Sequence, residues 1–107
     1  MKKILKNNSK TKAYLDSLPK IYLVGCWARY GVREYPFTGK YIEYHDYSIP
    51  LVYDYDDHNG TCDNYYLRRL DYVTTGQIIM WTQNKNVANK VAELFNKELK
   101  DKWNTKD

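Results

Sequence analysis

The chain reads as an α+β fold: an antiparallel meander of four to five strands packed against a C-terminal amphipathic helix, with a short N-terminal helix. Three observations predict it. Residues 41–82 carry short alternating segments separated by turn signals, among them Asn59-Gly60. Val87, Val91, Phe95, Leu99 and Trp103 then recur every four residues, the spacing of one helix face. The length, 107 residues with 43% hydrophobic and 28% charged, suits one domain able to bury its own core.

Taken in order, residues 1–8 read as a polar, flexible basic arm. Ser9 is the expected cap of a helix over about 10–18, with Ala13, Tyr14, Leu15 and Leu18 as its apolar face, ended by Pro19. The run Ile21–Ala28 is continuously apolar and predicts a central strand buried on both faces, Cys26 included. Residues 31–40 contain Gly31, Pro36 and Gly39 and read as a connection. A strand follows at Tyr41–Tyr47, with Ile42 and Tyr44 on one face and Glu43 and His45 on the other, then a bend at Ser48–Pro50.

Leu51–Tyr55 predicts the next strand, with Leu51, Tyr53 and Tyr55 on one face. Residues 56–60 read as its turn, and the return strand runs from Cys62 or Tyr65 to Val73. After Thr74-Thr75-Gly76 the last strand covers Gln77–Thr82. The helix is expected at 85–103 with Asn84 as N-cap, and Ala88, Ala92 and Leu94 beside its stripe. The reading is thus a single domain over 1–107, its sheet within 20–82.

Net charge is +4, but residues 1–20 alone sum to +5 and the remainder to −1. A nearly neutral body argues against a broad basic face built to track nucleic acid. No apolar run reaches the roughly 18 residues of a membrane span, and MKKILKNNSK lacks the apolar stretch of a signal peptide. A cytoplasmic protein is expected, with Cys26 and Cys62 as free thiols.

No reactive constellation is legible, so the chain reads as a non-enzyme with no metal and no cofactor. The cluster Asp54, Asp56, Asp57, Asn59 and Asp63 does not keep calcium-loop register. Counted from Asp54, Asn59 falls where glycine is needed and Tyr65 where glutamate is needed. His45 and His58 have no second ligand at zinc spacing, and Cys62 near His58 has no third orienting group.

Two binding surfaces remain. Residues 43–71 hold seven acids against Arg68 and Arg69, a net of −5. Within them Tyr53, Asp54, Tyr55, Asp56, Asp57 and Tyr65 offer alternating aromatics and carboxylates, able to fit a basic groove on another protein. Alternatively, Tyr22, Tyr44, Tyr53, Tyr66 and Tyr72 could stack single-stranded bases while Lys2, Lys3, Lys6, Arg68 and Arg69 hold phosphates.

The lysine–asparagine start MKKILKNNSKTK, the load of 12 tyrosines and the ending GQIIMWTQNKNVANKVAELFNKEL carry a resemblance. In these the chain resembles small orphan proteins encoded by phages and mobile elements of AT-rich bacteria. Among those are inhibitors of host defence, anti-CRISPR and anti-restriction proteins included. The resemblance implies stoichiometric binding to a host protein or protein–nucleic-acid complex and assigns no residue. The expected function is therefore a phage-type inhibitor of a host nucleic-acid-handling complex. The alternatives are a single-strand nucleic-acid binder, and a structural or regulatory subunit with an exposed apolar patch near Trp103.

Overall fold

The computed structural model describes the backbone of residues 4–58 and 61–104, and the side chains within them except those of 56–58, 61–62 and 103–104. The fold is α+β: six antiparallel strands, a short N-terminal helix and a long C-terminal one. The strands are β1 (Ile4–Lys6), β2 (Lys20–Cys26), β3 (Tyr30–Tyr44), β4 (Tyr47–His58), β5 (Thr61–Arg69) and β6 (Gln77–Thr82). The helices are α1 (Ser9–Ser17) and α2 (Lys85–Asn104). Strands pair in the order β1-β5-β4-β3-β2-β6. The meander holds from β2 to β5, but β6 pairs with β2 rather than β5, and β1 adds a strand beyond β5.

Internal contacts divide the chain into two compact units. One comprises 1–20 and 35–74, the other 21–34 and 75–107, so β3 contributes its first residues to the second and the rest to the first.

In the first unit, Ile4–Lys6 pairs with Asn64–Tyr66, so residues expected in a polar arm form a strand. Asn8, not Ser9, caps α1: its Oδ1 accepts from the Thr11 amide at 2.9 Å. The helix buries Thr11 and Leu15, while Tyr14 remains 46% exposed. Lys20 closes its other end, donating from Nζ to the Leu15 and Leu18 carbonyls at 3.0 and 2.9 Å.

Residues 31–40, expected as a connection, belong to β3. Gly31 and Pro36 lie within the strand, and Gly39 falls in an irregularity between Phe37, opposite Val52, and Tyr41, opposite Pro50. There Gly39 takes φ +82°, and the Thr38 hydroxyl donates to the Leu51 carbonyl (2.9 Å) and accepts from the Lys40 amide (3.1 Å). A side chain thus replaces the missing rungs of the ladder.

The β3–β4 turn is His45-Asp46, earlier than the expected bend at Ser48–Pro50, because Tyr44 pairs with Tyr47. His45 takes φ +57°, the positive value a type II′ turn needs at its first central residue. β4 and β5 pair as far as His58 opposite Thr61, so the expected turn at 56–60 is shorter; Asn59-Gly60 itself lies outside the described residues. β5 ends at Arg69, not Val73, and a 3-10 turn, Leu70–Tyr72, follows. Tyr35, Phe37, Ile49, Val52, Tyr53 and Leu70 form the buried interior.

The second unit packs α2 on β2, β6 and the start of β3. Val24, Ala88 and Ala92 are its buried centre, with Tyr22, Tyr30, Val32, Ile79, Met80 and Val91 around them. Asn84 caps α2 as expected, its Oδ1 accepting from the Val87 amide at 3.1 Å. The expected stripe is rotated: Val87 and Leu94 are 42% and 53% exposed, and Asn96 turns inward. Asn96 accepts from the Tyr30 amide (2.9 Å) and donates to its carbonyl (2.8 Å), satisfying a strand start with a side chain. The Trp27 indole lies across Gly25 and Gly76, where a Cβ would overlap it, with the Arg33 guanidinium 4.1 Å from the ring centre.

Candidate functional site

Cross-strand register sorts the side chains of the first unit onto two faces, because directly opposed residues point the same way. Tyr44 opposes Tyr47 and Ile42 opposes Ile49. Alternation along β4 then adds Leu51, Tyr53 and Tyr55, and pairing with β5 adds Arg69, Leu67 and Tyr65. The other face holds Tyr41, Val52, Asp54, Tyr66, Arg68 and Asn64, with Ile4 and Lys6 from β1.

Helix α1 reaches the first face through Tyr14, whose ring meets Tyr53 edge-on at 6.1 Å. Tyr53 is only 5% exposed there. Burial first, then the charge and hydrogen bond of Tyr14, push the Tyr53 hydroxyl above its usual pKa.

Toward the β3–β4 turn the same face is open, and it carries the chain's most distinctive cluster. The Arg69 guanidinium is gripped by Asp71, Nε to Oδ1 at 3.0 Å and Nη2 to Oδ2 at 2.7 Å. It also stacks on Tyr72 at 4.1 Å and on Tyr44 at 4.5 Å. The hydrogen bond to Asp71, ahead of its charge, holds Arg69 above its ordinary pKa despite the opposing effect of desolvation. The Arg69 side chain is only 16% exposed, whereas Tyr44, Tyr47 and Tyr72 are 47%, 69% and 65% exposed. The arrangement is a fixed cation with aromatic rings spread around it on a short turn, and His45 packs edge-on to Tyr44 at 4.4 Å.

The residues expected as one contact surface are divided. Tyr53 is core, Tyr55 and Tyr65 pair on the tyrosine face, and Asp54 points from the opposite face, its carboxylate accepting from the Tyr55 amide at 3.0 Å. The side chains of Asp56 and Asp57 lie outside the described residues. The expected phosphate-holding set is divided too. Lys6 and Arg68 share a face, with Arg68 5.6 Å over Tyr66, while Arg69 is on the other face and committed to Asp71. Lys2, Lys3 and the side chain of Trp103 lie outside the described residues. Of the other stacking candidates, Tyr22 belongs to the second unit, where burial and then the Glu34 carboxylate raise its pKa.

Asp71, His45 and Tyr47 are the contributors that sequence reasoning did not select. The signal was available in principle: a two-residue turn at His45-Asp46 makes Tyr44 and Tyr47 directly opposed partners. Reading the bend at Ser48–Pro50 hid it.

In the second unit Cys26, expected in the interior, is half-exposed at the end of β2. It borders an open depression with Arg29, Tyr30, Leu99 and Lys100. Among the described residues no group of three His, Cys, Asp or Glu side chains gathers as a metal site requires. No helix among them is long and apolar enough to cross a membrane.

The chain matches no protein-family model, no curated protein and no solved structure.

Proposed function

We propose that the chain is a non-enzymatic binding protein that engages a partner protein through the open tyrosine–arginine face around Arg69. The observation that carries this reading is the exposure of Tyr44 and Tyr72, stacked on a guanidinium fixed by Asp71, with exposed Tyr47 opposite Tyr44 on the same face. Tyrosine and arginine are the residues that most often dominate interface energy, and side chains already immobilised lose less entropy on docking. The net −5 of residues 43–71 favours a partner surface of opposite charge, as a nucleic-acid-handling complex presents. The partner class is accordingly a host defence complex, blocked by stoichiometric contact in the manner of phage-type inhibitors.

The test is affinity capture from a host lysate followed by quantitative binding of the captured partner. Tyr44→Ala combined with Tyr72→Ala is expected to weaken binding at least about a hundredfold, since two central anchors are lost. Asp54, Asp56 and Asp57 changed together to Asn are expected to slow association, with a smaller loss of affinity. Unchanged affinity in the tyrosine double variant would reject this face.

A second reading rests on Arg68 stacked over Tyr66 with Lys6 on the same face. It makes the chain a single-strand nucleic-acid binder, with affinity that falls steeply as salt rises. Fluorescence anisotropy with random oligonucleotides at two salt concentrations separates the two. Lys2, Lys3 and Lys6 changed to Gln is the informative variant, because deleting the first twelve residues would remove β1 and the start of α1.

A further inference from the structure

The two ends of the strand order are built by opposite rules. β1 is three residues long and carries Lys6. Shortness and an edge lysine are common ways to keep a strand from recruiting another chain. β6 at the other end is six residues, Gln77-Ile78-Ile79-Met80-Trp81-Thr82, with neither a charge nor a proline. Its neighbour β2 buries Ile21, Leu23 and Val24, yet in β6 Gln77 is exposed and the other five residues are only half-buried. β6 has the composition of an interior strand and the last place in the order among the described residues.

Its register points to what covers it. Tyr22 opposes Thr82, Leu23 opposes Trp81, Val24 opposes Met80, Gly25 opposes Ile78 and Cys26 opposes Gln77, which leaves Ile79 as an extra residue. The extra residue puts both Ile79 and Met80 against the Val24–Ala88–Ala92 cluster. Gln77 and Thr82 share that face, and Ile78 and Trp81 point to the other.

Two antiparallel copies of β6, centred on each other, oppose Gln77 to Thr82, Ile78 to Trp81 and Ile79 to Met80. Every pair then lies on one face and matches polar with polar or apolar with apolar, with no like charges meeting. A bulge often serves to turn an edge away from pairing. Here it acts the other way: without it, the centred register would set opposite faces against each other.

We propose that β6 is the pairing edge of a two-fold homodimer, its occupant the β6 of a second copy of this chain. The contact is isologous, each residue's partner being the reciprocal one across the axis. A six-residue strand pair falls short of the roughly 1,000 Å² of a stable interface, so the dimer is weak and concentration-dependent.

Sedimentation equilibrium of the full chain over a concentration series tests it. The unmodified chain is expected to pass from monomer to dimer. Q77K with T82K sets lysine against lysine twice and is expected to raise the Kd by about tenfold or more. Q77K with T82E restores opposite charges in the same register and is expected to return the dimer. Thermal melts of both variants report whether the domain is intact. Y44A with Y72A is expected to leave the dimer unchanged, which separates this edge from the partner-binding face. A chain that stays monomeric throughout, a dimer indifferent to the lysine pair, or one abolished by the tyrosine changes overturns the proposal.

Discussion

Ala28 takes φ +79° in the three-residue connection between β2 and β3, where the Trp27 amide donates to the Arg29 carbonyl at 2.9 Å. A Cβ in the left-handed region costs roughly 1–2 kcal/mol, and glycine's extra freedom in the unfolded chain returns part of that. Ala28→Gly is therefore expected to stabilise the protein by about 0.5–1 kcal/mol, a rise of about 3–5 °C in Tm by calorimetry. Two tyrosines contribute a loss of stability at alkaline pH. Burial, and then Glu34 for Tyr22 or Tyr14 for Tyr53, raise both pKa values above the ordinary 10.0. The folded state therefore holds these protons more tightly than the unfolded chain does. That stabilisation is complete below pH 10, and it is lost as pH rises from there through the folded pKa values. Urea midpoints are expected to fall above pH 10, and to fall less steeply in Tyr22→Phe with Tyr53→Phe; an identical slope in the double variant would exclude these two groups.

At the scale of elements, caps and strand starts carry more weight than propensity. The Asn96 side chain meets both the Tyr30 amide and its carbonyl, while Phe95 packs on the Tyr30 ring at 5.0 Å. Asn96→Ala strands a donor and an acceptor at once, and is expected to destabilise by about 2–4 kcal/mol in urea titration. Asn96→Asp keeps the acceptor for the Tyr30 amide and loses the donor, so a smaller loss is expected. Asn96 lies four residues beyond Ala92 on the buried side of α2, and the strand start beneath it gives its amide two partners. The opposite holds for the hairpin end of β3 and β4. Its elements are ordinary, but the positive φ of His45 fixes which tyrosines oppose each other, and so which rings surround Arg69.

At the scale of the whole molecule, the proposed partner contact and the proposed self-association fall in separate units. The tyrosine–arginine face belongs to the first unit and the β6 edge to the second. Changes to Tyr44 and Tyr72 are therefore expected to affect partner binding alone, and changes to Gln77 and Thr82 self-association alone. Comparing Kd values from the two assays for both double variants checks this independence. If dimerisation and partner binding are independent, one dimer presents two tyrosine faces, and a partner carrying two matching sites is held with higher avidity than its single-site affinity implies.

Local periodicity determined much of this protein from the sequence alone. The α+β class, the position of β6, the α2 helix with its Asn84 cap and the Leu51–Tyr53–Tyr55 face all follow from spacings of two and four residues, which need no knowledge of distant partners. Tertiary structure alone decided what those elements meet. Ile4–Lys6 is a strand only because β5 lies beside it. β3 continues past Gly39 with Thr38 bonding across to Leu51 where the ladder is interrupted. Tyr53 is core, and the rings around Arg69 converge, only because α1 and the His45-Asp46 turn put them there. Pairing between strands far apart in the chain draws on backbone groups every residue shares, so side-chain pattern carries the local period faithfully and the long-range neighbour hardly at all.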